Sequence, residues 1–260
     1  SIVHDFAVTP NWAVFPFMPL ITDIEALKRG STFYQWHPDE QVVVALVRRG
    51  GTAADIRWFR GPAGTISHMM NAWEEDGKVH LDACYYDGNC FPFFPTPQGE
   101  HVEGCPAFLS RLTFDLARND ESFDRRRIID IPGEMPRTDD RFQGENCRNG
   151  FLIVDRAPDG SSAVGCVDLA SGDLRMWRPG ARASVHEPQF VPRHAGAAEG
   201  DGWLLVIVNR LDANHSELAI LDAQHIEAGP VALLHMPVRV RSTFHGTFVD
   251  GEKLRTRQPG

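Results

Sequence analysis

Short strand-length apolar runs joined by tight-turn dipeptides recur along the whole chain. Between them only 23–30 looks helical, with Asp23 predicted as the N-cap and Gly30 as the stop. Strand, tight turn and strand repeated in this way predict an antiparallel meander, which favours a sandwich, a barrel or a propeller. The turn signals are Asp-Gly at 76–77, 87–88, 159–160, 201–202 and 250–251, and Ser-Gly at 171–172.

The predicted strands extend over most of the chain, and residues 11–20 are predicted as a further strand that runs into a proline-broken loop. No linker or low-complexity segment divides them, so we expect a single domain over residues 1–260. The other predicted strands are 41–48, 56–59, 79–84, 107–114, 150–155, 163–168, 174–177, 187–192, 203–209, 217–222, 231–234 and 246–249.

Composition excludes several classes of partner. The chain has 260 residues and a formal net charge of −9, which argues against nucleic acid or an anionic membrane as the main partner. No apolar run approaches the roughly 18 residues of a membrane-spanning helix. The five cysteines are odd in number and lack Cys-x-x-Cys spacing, so we expect reduced thiols and a cytoplasmic protein.

Three histidines stand in distinctive apolar settings: His4, His68 just ahead of an expected Asn-Ala-Trp-Glu turn, and His245. We interpret them as ligands of one metal, although a single histidine is more often a packed or surface residue. That ordinary interpretation is given to His37, His80, His101, His194, His215, His225 and His235.

Ligating histidines usually need a carboxylate that fixes the ring and its tautomer. Glu134 and Glu187, both beside prolines in apolar stretches, are the candidates for this role. The alternative is that they pair with the nearby Arg137 and Arg193. The spacings between successive candidate positions are on the scale of propeller blades, which are about 40–50 residues long in common families. These positions are His4, His68, Glu134, Glu187 and His245.

Phe91 lies in the aromatic and proline-rich run 90–95, which two prolines exclude from a central strand. This run is either a packed surface loop or an apolar wall over a hydrophobic substrate. Other catalytic signatures fail: Pro188 breaks a zincin-like helix after His186-Glu187, and there is no nucleophile elbow, Walker loop or dinucleotide fingerprint.

Five segments resemble, in order, motifs of the carotenoid cleavage oxygenase family, most closely its bacterial lignostilbene dioxygenase branch. They are His4–Thr9, Ile66–His68 with Asn71–Glu74, Gly133–Arg137, Glu187–Arg193 and Phe244–Gly246.

The resemblance implies an all-β, seven-bladed β-propeller with Fe(II) on its axis, held by four histidines. His4, His68 and His245 match the second, third and fourth of these ligands. Glu134 and Glu187 match two of the family's three supporting glutamates, expected to steady His68 and His245 respectively. The first histidine, the third glutamate and the earliest blades would lie upstream of Ser1, so we expect the C-terminal portion of a longer chain and an incomplete propeller.

The family's activity implies O₂-dependent cleavage of a C=C double bond into two carbonyl compounds. The segments 34–38 and 89–94 favour a stilbenoid substrate that gives two aldehydes, with Phe91 expected to line its tunnel. Cleavage of a carotenoid or apocarotenoid stays open as an alternative, as do a non-catalytic propeller that binds partners and metal-assisted hydrolysis. The sequence also leaves a homodimer open.

Overall fold

The computed structural model describes residues 1–242, 244–251 and 254, and within them the fold is all-β, as predicted. One short α-helix, α1, spans Ile24–Lys28 and is capped by the predicted Asp23, whose side chain accepts from two backbone N–H groups. The strands are β1 (Ala7–Val8), β2 (Trp12–Phe17), β3 (Leu20–Ile21), β4 (Gln35–Trp36), β5 (Val42–Arg48), β6 (Arg57–Gly61), β7 (Thr65–Glu75), β8 (Lys78–Tyr86), β9 (Ala107–Asp115), β10 (Asp124–Arg127), β11 (Gly133–Arg137), β12 (Asn149–Val154), β13 (Ala163–Asp168), β14 (Leu174–Trp177), β15 (Ala183–Val185), β16 (Gln189–Pro192), β17 (Gly202–Arg210), β18 (His215–Asp222) and β19 (Pro230–His235).

These strands form four antiparallel sheets in chain order, which we number first to fourth. Their strand orders are β1-β2-β5-β6, β7-β8-β9-β10, β11-β12-β13-β14 and β15-β17-β18-β19, with β16 also paired to β17. A small sheet of β3 and β4 stands beside the first. Consecutive pairing of this kind is the predicted meander. The seven-blade count and the single domain over 1–260 stay predictions.

Turn chemistry and side-chain alternation explain the local structure. Asp76 and Gly77 join β7 to β8, and both have positive φ (49° and 73°), as a two-residue hairpin turn requires. In β17 the residues alternate between buried and half-buried, which is the period of a strand with one face on a core.

Three apolar cores lie between successive sheets. The first joins β2 and β5 to β8 and β9, and the second joins β9 to β12 and β13. The third packs Phe151 and Val164 against Val185, Val206 and the rest of the fourth sheet. Sheets that pack face to face in series in this way are the arrangement of propeller blades.

One turn prediction and one strand prediction were wrong. Residues 71–74, expected as a turn, lie inside β7, because the Asn71 amide is buried and bonds to the Gly144 N–H and the Glu145 carbonyl instead of turning the chain. Residues 246–249, expected as a strand, are irregular, and the Gly246 N–H bonds to the Glu187 carboxylate. Most of the predicted strands match within a few residues, whereas the sequence reasoning missed β1, β3, β4, β7, β11 and β15.

All five cysteines are free thiols. Among the residues that the structure describes, no helix has the length and apolar character needed to cross a membrane.

Candidate metal centre

His4, His68 and His245 come together although they lie far apart in the sequence. The ring centroids of His4 and His68 are 5.1 Å apart, those of His68 and His245 5.0 Å, and those of His4 and His245 6.5 Å. One nitrogen from each ring lies within 4.8 Å of the others. The structure thus gathers the three imidazoles that the sequence singled out.

Each histidine comes from a different part of the fold. His4 lies just before β1, His68 lies inside β7, and His245 lies in the irregular segment after β19. The pairing of β7 with β8 shifts register between Ile66 and Met69, so His68 sits at an irregularity of the ladder.

Asp5 ties the first two histidines together. Its Oδ2 accepts from the Met69 N–H at 2.9 Å, and its Oδ1 accepts from the Phe6 N–H at 2.8 Å. The residue after His4 is thereby fixed to the residue after His68. The ring nitrogens His4 Nε2 and His68 Nε2 stand 3.3 Å apart.

Glu134, in β11, holds the outer nitrogen of His68. The distance from Glu134 Oε2 to His68 Nδ1 is 2.7 Å. The same carboxylate accepts from the Tyr86 hydroxyl at 2.6 Å, from the Met135 N–H at 2.7 Å and from the Ser67 hydroxyl. Burial alone would raise the pKa of Glu134, but the hydrogen bonds from His68, Ser67 and Tyr86 outweigh it and hold the pKa below its usual value.

Glu187 has the corresponding place beside His245. Its Oε1 is 3.2 Å from His245 Nδ1, and its Oε2 accepts at 2.9 Å from both the Gly246 N–H and the Gln189 amide. Each carboxylate occupies an Nδ1, which leaves Nε2 of His68 and of His245 as the available ligand atom. His4 has no carboxylate on its ring in the described residues. Burial and, second, the nearby His68 lower its pKa, which favours the neutral imidazole.

The two arginines considered as alternative partners of the glutamates, Arg137 and Arg193, pair with aspartates. Arg193 bonds to Asp201 and Asp222 rather than to Glu187. Arg137 pairs with Asp140, and its nearest atom is 4.0 Å from Glu187 Oε1, at the limit of an ion pair. Both carboxylates therefore lie closer to an imidazole than to either arginine.

Phe91 lies close to the histidines. Its ring meets that of His4 edge to face with centroids 6.4 Å apart, and it packs on Phe93 and Phe94. A cleft of about 350 Å³ opens beside the three imidazoles and is lined also by Asp5, Met69, Pro136, Arg137 and Glu187. A second, more apolar cleft of about 300 Å³ is also lined by His245, together with Leu205, Ile207, Phe244 and Phe248.

Sequence reasoning missed several residues that hold the centre, namely Asp5, Ser67, Tyr86 and Gln189. Three of them are within two positions of a predicted site residue, so their closeness was a usable signal. Tyr86 had none: it reaches Glu134 because the β7–β8 register puts Tyr86 opposite Thr65.

The donor set fits a first-row transition metal. Ligand nitrogens about 2.0–2.1 Å from one ion are about 3 to 3.4 Å apart, and His4 Nε2 and His68 Nε2 are at 3.3 Å. Imidazole suits zinc, copper, iron and nickel alike, so the ligand type does not choose among them.

Fold and site together define a class: all-β proteins of serially packed sheets with a histidine cluster suited to a transition metal. The family model described as retinal pigment epithelial membrane protein (RPE65) matches residues 1–250, so the chain belongs to this family, the carotenoid oxygenase family of the sequence resemblance.

Named relatives agree with this membership. An isoeugenol monooxygenase of Pseudomonas nitroreducens is 37% identical over 262 residues, which cover 96% of this chain and 55% of the relative. A lignostilbene-α,β-dioxygenase isozyme III of Sphingomonas paucimobilis is 35% identical, covering 97% and 55%. The crystal structure of the Pseudomonas brassicacearum lignostilbene dioxygenase superposes with a TM-score of 0.91 at 37% identity, covering 96% and 55%. The chain thus spans about half the length of the relatives it matches.

Proposed function

We propose that the protein carrying this chain is a non-haem Fe(II) dioxygenase that uses O₂ to split the C=C bond of a stilbenoid into two aldehydes. The observation that supports this most is the convergence of His4, His68 and His245, with a carboxylate behind two of them. Relatives named for lignostilbene and isoeugenol, both aromatic alkenes, support the substrate class.

In this proposal the three imidazoles would hold the iron. Glu134 and Glu187 keep a proton on each Nδ1, so that the lone pair of Nε2 is directed to the ion. Their two negative charges also offset the charge of a divalent ion held by neutral ligands. When bound, iron supplies the redox chemistry with O₂, and the protein supplies orientation and exclusion of water.

An aromatic substrate would enter beside Phe91. The ring of Phe91 stands edge-on to His4, and Phe93 and Phe94 extend the same wall. Clefts of about 300–1,000 Å³ are typical of small-molecule sites, and the cleft of about 350 Å³ beside the imidazoles is at the small end. A single phenylpropenoid unit next to the histidines fits this size.

Two enzyme alternatives remain to be tested against the stilbenoid. The isoeugenol monooxygenase, at 37% identity, favours a shorter propenylphenol, and an apocarotenoid is the second alternative. A non-catalytic binding propeller would not need the hydrogen bonds of Glu134 and Glu187 to the imidazoles, so these bonds favour the enzyme.

The test uses the full-length protein loaded anaerobically with Fe(II). Lignostilbene, isoeugenol and an apocarotenal are offered in turn, and O₂ uptake is recorded with the products. With ¹⁸O₂, a dioxygenase labels both carbonyl products, whereas a monooxygenase labels one. His68→Ala should abolish uptake and His225→Ala, at an exposed histidine, should not. A folded protein that takes up neither iron nor O₂ would refute the proposal in favour of the binding module.

The cellular setting follows from charge and thiols. Five free cysteines favour a reducing compartment, and we propose the cytoplasm. The net charge of −9 supports small molecules rather than nucleic acid as partners.

A further inference from the structure

A second group of metal-type side chains lies on the outer strands of the fourth sheet. His215 and Glu217 are two residues apart on β18, so they share one face of the strand. In the β18–β19 ladder His235 stands directly opposite Glu217. Strand period and register therefore bring the three side chains together.

Their spacing is that of ligands on one ion. His215 Nε2 is 3.2 Å and His235 Nδ1 is 3.4 Å from the same oxygen, Glu217 Oε1, and all three atoms lie within 4.8 Å of one another. Two ligands on a tetrahedral zinc ion, each about 2.0–2.1 Å away, are about 3.3 Å apart. Two histidines and a glutamate are a donor set that zinc proteins use, with the fourth position left to water.

Glu217 is fixed for this role. Its side chain is 5% exposed, and Arg210 Nε holds Oε2 at 2.7 Å, which turns Oε1 toward the imidazoles. The His215 and His235 side chains are 41% and 75% exposed, so an ion from solvent can reach both.

The cluster also sits where the chain leaves the sheet. Directly after His235, the Met236 N–H bonds to the Ser216 carbonyl at 3.0 Å, and the Val240 N–H bonds to the Ser216 hydroxyl at 2.9 Å. This segment leads on to His245. An ion bridging β18 and β19 at His235 would fix the start of the segment.

We propose that His215, Glu217 and His235 form a second site for a zinc-type divalent ion, separate from the three converging imidazoles. The site closes the end of the β18–β19 pair and anchors the chain that leaves it. It does not depend on the proposed oxygenase function.

The experiment titrates Zn²⁺, and separately Co²⁺, into the full-length protein, with calorimetry for stoichiometry and visible absorption for the cobalt coordination. His235→Gln and His215→Gln are compared with His225→Gln, which changes an exposed histidine just after β18. All are repeated in a His68→Ala background, which separates this site from the group of His4, His68 and His245.

We expect one equivalent of Zn²⁺ that depends on His215 and His235 in both backgrounds. Either substitution should raise its dissociation constant at least tenfold and remove the Zn²⁺-induced rise in Tm, whereas His225→Gln should change neither. The proposal would be overturned if His235→Gln bound Zn²⁺ with the same stoichiometry and affinity as the unsubstituted protein. It would also be overturned if His225→Gln lost as much Zn²⁺ affinity as His235→Gln. Loss of iron binding with Zn²⁺ binding retained would count against the proposed function alone.

Discussion

Replacing Glu134 with glutamine tests how strongly the carboxylates control the imidazoles. Glu134 accepts hydrogen bonds from His68, Ser67, Tyr86 and the Met135 N–H. Glutamine keeps the shape but removes the charge and one acceptor. It can therefore no longer satisfy all four donors or hold the His68 Nδ1 proton with a charge-assisted bond.

The expected loss is one of metal affinity. Removing the group that orients a ligating histidine costs about 10–100-fold in affinity, which is about 1.4–2.8 kcal/mol. We expect Glu134→Gln in the upper half of this range, because its bond to His68 is 2.7 Å long. Glu187→Gln should cost only about tenfold, because the corresponding bond to His245 is 3.2 Å and Glu187 also accepts from Gly246 and Gln189.

The assay is anaerobic competition for Fe(II) between the full-length protein and a chromophoric chelator, repeated with Co(II). Glu100→Gln, an exposed glutamate, is the matched control. Thermal melting of the metal-free proteins shows whether each variant is folded. A folded Glu134→Gln protein that binds Fe(II) within twofold of the unsubstituted protein would refute the reasoning, as would a larger loss for Glu187→Gln than for Glu134→Gln.

Two further predictions concern stability. Phe151 is fully buried in the third core, so Phe151→Ala should lower the free energy of unfolding by about 3–5 kcal/mol. Phe33 is 56% exposed, so Phe33→Ala should change the free energy of unfolding by no more than about 0.5 kcal/mol. Denaturant titration measures both, and equal losses would contradict the assignment of Phe151 to this core. Glu74 accepts three hydrogen bonds from the turn between β1 and β2, and these outweigh burial and lower its pKa. Its stabilisation is therefore present above the unfolded pKa of about 4.3 and is lost as pH falls through the lower folded pKa. Glu74→Gln should flatten the acid side of the stability profile and Glu75→Gln should not; an unchanged slope in Glu74→Gln would refute the assignment.

The sequence predicted most where the signal is local. The Asp76-Gly77 turn and the strands at 163–168 and 174–177 follow from turn chemistry and alternation, and both strands were predicted to the residue. Apolar settings, and then the family motifs, singled out His4, His68 and His245, and the structure brings these rings together. Their ligand roles, those of the two glutamates and the lining role of Phe91 stay predictions for the experiments above.

What escaped prediction depends on contacts between distant segments. Asn71 looks like a turn residue, yet its amide is satisfied by residues more than 70 positions away, inside a strand. Tyr86 reaches Glu134 only through the register of β7 and β8. His215 and His235 had ordinary surroundings in the sequence, and only the β18–β19 pairing reveals them as neighbours.

The three imidazoles are contributed from beside the first sheet, from within the second and from beyond the fourth. During synthesis on the ribosome His4 emerges first and His245 last, so the set is complete only after the four sheets have docked. Assembly that depends on such non-local contacts is slow. The gathering of the three imidazoles is therefore a late event in folding, and a nascent chain that has not yet formed the fourth sheet offers only isolated imidazoles.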